Sequence, residues 1–259
     1  FYTPTLFVDY AHSMIEKELG VHWKDNYVVW DPACGTKNLT RDYRFKELYC
    51  STLEQAELDI SKNYNKEATS FQFDFLNDSL DDLKVKAPGL LEAFELNKPI
   101  VFFLNPPYGN STGGNGRYST SITLTNNSST IVASRANYCL KDLITQFLFR
   151  ILNIKKIYNL TNCNICIFSK PKWLTGGNYK KFRHDFFNNF DFLKGCLFSA
   201  SEFANVSSIW GICFSLFSSS NSCVNANEFN HELIKSSDDY SIAKLGNKVI
   251  YNIDNSELS

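Results

Sequence analysis

"YVVWDPACGTKNLT", residues 27–40, begins as an apolar strand and ends as a polar turn. Asp31 stands at the carboxyl end of the "YVVWD" run, Pro32 stiffens the exit, and Gly35 lets the backbone bend close to a ligand. A helix is expected to begin near Asn38 or Thr40, turning its amide-rich N-terminus toward the same spot. Neither GxxxxGK[ST] nor GxGxxG occurs, so this turn, with an acid beside it, suits a cationic or zwitterionic ligand better than a polyphosphate.

Four further apolar runs flank it: "LYCSTL" (48–53), "PIVFFL" (99–104), "NCNICIF" (162–168) and "SIWGICFSLF" (208–217). Between them, "KDLITQFLFRILNI" (141–154) sets Leu143, Phe147, Leu148 and Ile151 at helical spacing. Strands alternating with helices predict an α/β fold, a parallel sheet wrapped by helices. Ligands of such sheets sit at the carboxyl ends of the strands, near the point where strand order reverses. The residues just past each strand therefore matter most. Thr52 ends the second strand and Glu54 lies two residues on, where an acid often grips a ribose. "FQFDFLND" sets Asp74 and Phe75 at another strand end. In this order the turns read as one nucleoside-shaped pocket.

"PIVFFLNPPYG" (99–109) stops its apolar run at Asn105. The asparagine offers an uncharged carbonyl acceptor. Pro106 and Pro107 lack N–H donors, and a residue before proline is pushed toward extended geometry, which leaves the Pro106 carbonyl free to face a cleft. Two acceptors beside the ring of Tyr108 make a cradle for a planar group bearing an NH2, and an aromatic face stacked on a base contributes about 1–3 kcal/mol.

Composition sets outer bounds. The chain has 259 residues, 44% hydrophobic and 20% charged, with a formal net charge of −1. That balance gives no overall pull toward nucleic acid, so a polyanion must meet a local patch. No apolar run approaches the roughly 20 residues needed to cross a bilayer, and no secretory signal opens the chain. The eight cysteines are scattered, several inside apolar runs, which reads as buried free thiols in a reducing cytoplasm. Cys163 and Cys166 have zinc-like spacing, but no second ligand pair comes after them, so no metal is expected. Residues 109–130 are a long polar loop rich in Gly, Ser, Thr and Asn, of the kind that is functional or mobile. After Phe217 the chain turns polar, so residues 1–220 are expected to form a catalytic domain. Residues 221–259 are expected to be an extension, or the start of a linker to a further module.

"FYTP" (1–4), "DPACGT" (31–36), "FDFL" (73–76) and "NPPY" (105–108), in this order, resemble the motifs of the gamma-arranged N6-adenine DNA methyltransferases. The likeness continues through "FSKPKWLTGGNYKKFRHDF" and "EFANVSSIWGICFSLF", covering roughly residues 1–217. NPPY alone also occurs in RNA and protein-glutamine methyltransferases, whereas FYTP ahead of DPACG ahead of NPPY is more specific. The resemblance implies a Rossmann-like class I methyltransferase fold, with a mostly parallel twisted sheet, helices on both faces and an antiparallel edge hairpin. It also implies S-adenosyl-L-methionine as cofactor and DNA as partner.

Carried over by motif, Tyr2, Thr3 and Pro4 would flank the methionine end of the cofactor, with Asp31, Ala33, Gly35 and Thr36 around the same turn. Thr52 takes the place of the usual ribose acid, leaving Glu54 as the nearest carboxylate, and Asp74 with Phe75 would face the cofactor adenine. Asn105 and Pro106 would accept from the target amine, within a catalytic set completed by Pro107 and Tyr108; Phe203 would close an aromatic sandwich on the base. Lys170, Lys172, Lys180, Lys181 and Arg183 concentrate the cations a phosphate backbone needs. Lys37 stands where the family loop usually has its second glycine, a departure that puts cofactor binding in question. The readings left open are a DNA adenine methyltransferase fused to or paired with a recognition module, the same chemistry on RNA or protein glutamine, and a degenerate domain that binds without catalysis.

Overall fold

Alternation along the strands decides the layering. In β1 (Val28–Asp31), Val28 and Trp30 enter one apolar cluster and Val29 the other. In β4 (Ile100–Leu104), Ile100, Phe102 and Leu104 point one way, Val101 and Phe103 the other. Both faces are covered, which is why these strands read as unbroken apolar runs. The computed structural model describes residues 3–109, 142–203, 210–219 and 227–252.

Among the described residues one nine-stranded sheet forms, in the order β3 (Thr69–Gln72), β2 (Leu48–Thr52), β1, β4, β5 (Cys163–Ser169), β7 (Gly211–Ser219), β6 (Phe190–Ser199), β8 (Glu228–Ser236), β9 (Ile242–Tyr251). Strands β3 to β5 of that order run parallel, whereas β7 lies antiparallel between β5 and β6. The helices α1 (Thr5–Leu19), α2 (Trp23–Asn26) and α3 (Gln55–Ile60) bury their apolar side chains on one face. The opposite face carries α4 (Leu83–Lys86), α5 (Pro88–Glu95), α6 (Leu143–Ile157), α7 (Lys172–Thr175) and α8 (Lys180–Phe187). The chain has a Rossmann-like α/β fold with a mostly parallel sheet and an antiparallel edge, as the sequence led one to expect. Strands β2 and β3 lie to one side of β1 and β4 to the other, so order reverses between β1 and β4.

Several expectations change. Residues 32–42 fold as successive turns rather than a helix, with Gly35 (φ 49°) and Lys37 (φ 62°) in left-handed backbone. Helix α6 is capped by Asp142, whose Oδ1 accepts from the Ile144 N–H at 3.1 Å, and runs on to Ile157. Within the expected C-terminal extension, β8 pairs parallel with β6 and β9 antiparallel with β8, so these two strands continue the sheet. Cys163 and Cys166 point into opposite apolar clusters, because a spacing of three in a strand reverses the side-chain direction. They cannot share a metal ion. Cys34, Cys50, Cys163, Cys166, Cys196 and Cys213 are buried free thiols.

Candidate active site

A cavity of about 290 Å³ opens at the carboxyl ends of β1, β2 and β4, beside the reversal of strand order. It gathers Thr3, Ala33, Gly35, Thr52, Glu54, Asp74, Phe75, Asn105 and Pro107, all named as site residues from the sequence, together with Asn38, Glu57 and Phe147, which were not given that role. Pro4, Asp31, Thr36, Pro106 and Tyr108 do not line it. Tyr2 and residues 110–130 of the polar loop lie outside the described residues.

The turn after β1 is built on Asp31. Its Oδ1 accepts from the Ala33 N–H at 3.2 Å, while Oδ2 is buried without a partner among the described residues. Burial pushes this carboxyl up to about 8, an effect the Ala33 N–H offsets only in part. Lys37 does not obstruct the cavity. Its ammonium leaves the turn and donates to the Tyr64 carbonyl at 2.9 Å, so only its backbone occupies the position expected of glycine.

The end of β2 carries the acid question. Glu54 is exposed, whereas Glu57, in the first turn of α3, is half-buried and accepts a hydrogen bond from the Thr52 hydroxyl. A Cβ at Gly35 would come within 3.6 Å of Glu57 Oε1, so the glycine turn and this carboxylate lie side by side in the cavity lining. The signal for Glu57 was its place in the first turn of the helix after the strand. Beyond β3, Asp74 Oδ1 accepts from the Leu76 and Asn77 N–H groups and Oδ2 from the Asn77 amide, which fixes the turn. Phe75 stacks on Phe147 of α6 at 5.1 Å and forms an aromatic wall.

Asn105 closes the other end. Its Nδ2 donates to the Thr3 hydroxyl oxygen at 2.8 Å, and the Asn38 amide donates to the Thr3 carbonyl. With its nitrogen held, Asn105 leaves Oδ1 buried and unpaired among the described residues. The Pro106 carbonyl forms no hydrogen bond among them either, whereas the Pro107 carbonyl accepts from the Gly109 N–H at 3.1 Å. The Tyr108 ring meets Trp210 edge-on at 5.5 Å, and burial raises its phenol well above the ordinary tyrosine range.

Two expectations need correcting. Phe203 is 1% exposed and packs against Phe198 in the core, so neither face of its ring is open to a base. Arg183 is buried, and its guanidinium donates to the Trp173 and Gly176 carbonyls and to Asn252 Oδ1 at 3.0, 2.6 and 2.8 Å, which commits it to holding the fold rather than a phosphate. Lys172, Lys180 and Lys181 are exposed, and Lys170 lies 4.6 Å above the Trp210 ring.

The sequence matches no protein-family model and no curated protein. The fold is shared with restriction–modification enzymes. The chain is similar to the DrdV–DNA complex, with a TM-score of 0.58 and 18% identity over 90% of this chain and 27% of that one. It is similar to the type IIG restriction endonuclease BpuSI, with a TM-score of 0.58 and 15% identity over 100% of this chain and 31% of that one. It is also similar to a nuclease-deletion mutant of the type ISP restriction–modification enzyme LlaGI in complex with a DNA substrate mimic, with a TM-score of 0.58 and 14% identity over 95% of this chain and 28% of that one. The chain thus spans about a third or less of these three proteins.

Proposed function

We propose that the chain is the catalytic domain of a DNA adenine N6-methyltransferase, using S-adenosyl-L-methionine within a larger modification or restriction–modification assembly. One observation carries the reading: Thr3 holds the Asn105 amide nitrogen, so an unpaired, buried oxygen remains at the end of a nucleoside-sized cavity. Buried acceptors are rarely left without a donor. An exocyclic amine supplies that donor.

The residues present fit the cofactor. Glu57, with Glu54 at the rim, offers carboxylate acceptors to a ribose diol, and Phe75 with Phe147 offers an apolar wall to an adenine. The Thr3 and Gly35 side of the cavity receives the methionine end. When bound, S-adenosylmethionine supplies a methyl group already activated on sulfur. An adenine amine is a poor nucleophile because its lone pair is delocalised into the ring. The Asn105 oxygen and the Pro106 carbonyl accept from its two hydrogens, favour a pyramidal nitrogen and stabilise the positive charge that grows there. Tyr108, braced edge-on by Trp210, offers an aromatic surface to the flipped base. Extrusion of that base costs a few kcal/mol.

The likeness of fold to proteins solved with DNA supports the choice of acceptor. The path of the Lys37 side chain away from the cavity counts against a degenerate domain. Incubation with tritiated S-adenosylmethionine and a mixture of DNA, RNA and protein tests the proposal. Label in DNA, recovered as N6-methyladenine after digestion to nucleosides, is expected. Label confined to RNA or protein overturns it.

A further inference from the structure

Beside the NPPY turn lies a second, open groove of about 450 Å³. Leu197 of β6 and Ile250 of β9 form its apolar floor, Trp210 one wall, and Lys170, Lys172 and Lys248 its rim. Among the described residues no acidic side chain lines it. These lysines form no ion pair among them, unlike Lys244 of the same strand as Lys248, which pairs with Glu232 at 3.2 Å. In a chain of net charge −1, a rim of cations without acids is a local departure from the average. The Trp210 ring links the groove to the site. It packs edge-on against Tyr108 at 5.5 Å and carries the Lys170 ammonium 4.6 Å over its face.

The geometry points to this groove as the seat of the nucleotide flanking the target adenine: its phosphates on Lys170, Lys172 and Lys248, its sugar and base along the Trp210 wall and the Leu197–Ile250 floor. This rests on the DNA methyltransferase reading and adds to it a binding surface in which β9 takes part. Charge complementarity selects the occupant, since a rim that is cationic throughout over an apolar floor matches a phosphodiester carrying a planar base. Lys170, held over the indole, is placed to follow the ring rather than swing freely. Lys248 enters because α7 packs on β9, bringing that strand to the groove.

The test measures duplex DNA binding by the full chain across a salt series, with S-adenosylmethionine affinity measured on the same samples. Lys248→Gln is expected to weaken duplex binding roughly fivefold and make the log K against log salt slope shallower by about 0.9. Cofactor affinity stays unchanged in that variant, which also reports that it is folded. Trp210→Leu, which keeps an apolar wall, is expected to lose affinity for DNA with little change of slope. Wild-type DNA binding with an unaltered slope in Lys248→Gln and unaltered affinity in Trp210→Leu overturns the groove alone. Tighter binding of RNA than DNA, sensitive to the same substitutions, assigns the groove to another partner and overturns it as stated. Cofactor binding without any DNA binding by the wild type overturns the groove and the methyltransferase reading together.

Discussion

The Asn105 side-chain nitrogen donates to the Thr3 hydroxyl across 102 residues of sequence, and with the nitrogen so held the amide oxygen is left unpaired at the cavity. Without it the amide has no reason to present oxygen rather than nitrogen, and a donor facing an amine repels it. Thr3→Val keeps the volume and removes the acceptor. Turnover is expected to fall about tenfold with S-adenosylmethionine affinity little changed, while Thr3→Ser retains activity and Asn105→Ala loses about 10²–10³-fold in kcat. Steady-state kinetics with separately measured cofactor binding check this. Equal losses of kcat and cofactor affinity in Thr3→Val would assign Thr3 to the cofactor instead.

Glu57 reaches the end of β2 from the first turn of α3 and accepts from Thr52, where a strand-end acid would otherwise stand. Glu57→Gln keeps the shape and removes the charge. It is expected to weaken S-adenosylmethionine binding roughly tenfold, in line with loss of a charged hydrogen bond. Glu54→Gln, altering an exposed carboxylate, is expected to matter less. Calorimetric titration distinguishes the two, and a larger loss in Glu54→Gln would return the ribose role to that residue.

The buried titratable groups predict opposing pH limbs of stability. Burial pushes the Asp31 carboxyl up from 3.8 to about 8, so the stability it contributes is complete below its unfolded value and lost as pH rises through about 8. Burial pushes His12 down to about 3 and His231 to about 4, so their contribution is present above 6.5 and lost as pH falls toward those values. As pH rises above 6.5 toward 8 the histidines become neutral in both states, and the Asp31 contribution dominates. Thermal melts of the ligand-free chain should decline across that window, and Asp31→Asn should flatten the decline and steepen the acid limb, where Asp31 opposes the histidines. An unaltered alkaline limb in Asp31→Asn would place its origin elsewhere.

The strands that frame the site were legible because burial on both faces forces unbroken apolar runs, as in "PIVFFL" and "NICIF". Strands β8 and β9 gave no such signal. They form a largely exposed hairpin, and "EFNHELIKS" reads as polar because only Phe229, His231 and Ile234 of it are buried. Residues at strand ends were found by the rule that ligands gather there, but Glu57 was not, since its role depends on a helix turning back toward Thr52. The inward turn of Arg183 was recoverable in principle. Tyr179, Phe182 and Phe186 repeat at helical spacing, and Arg183 falls on their side of α8, away from Lys180 and Lys181. Phe203 shows the limit of motif matching, because an aromatic ring after a strand serves a core as readily as a base.

The close approach of β8 to β6 requires a position without a side chain. Gly195 of β6 lies opposite His231 of β8 in the parallel pairing. A Cβ there would stand 2.5 Å from His231 Cδ2, 2.7 Å from its Nε2 and 2.7 Å from the Phe214 carbonyl oxygen. The imidazole cannot retreat, since it is buried, its Nδ1–H donates to the Phe229 carbonyl at 3.1 Å and its Nε2 accepts from the Ser215 hydroxyl at 3.1 Å. Gly195→Ala is therefore expected to destabilise the chain by about 1–3 kcal/mol, the range for overpacking a filled core. Adding His231→Ala removes the ring from the clash but not the backbone carbonyl of Phe214, so the double substitution should recover only part of the loss relative to His231→Ala alone. Chemical denaturation of the three variants gives the coupling between the sites. If Gly195→Ala melts with the wild type, or if its cost is identical with and without the imidazole, the ring is not what packs on Gly195.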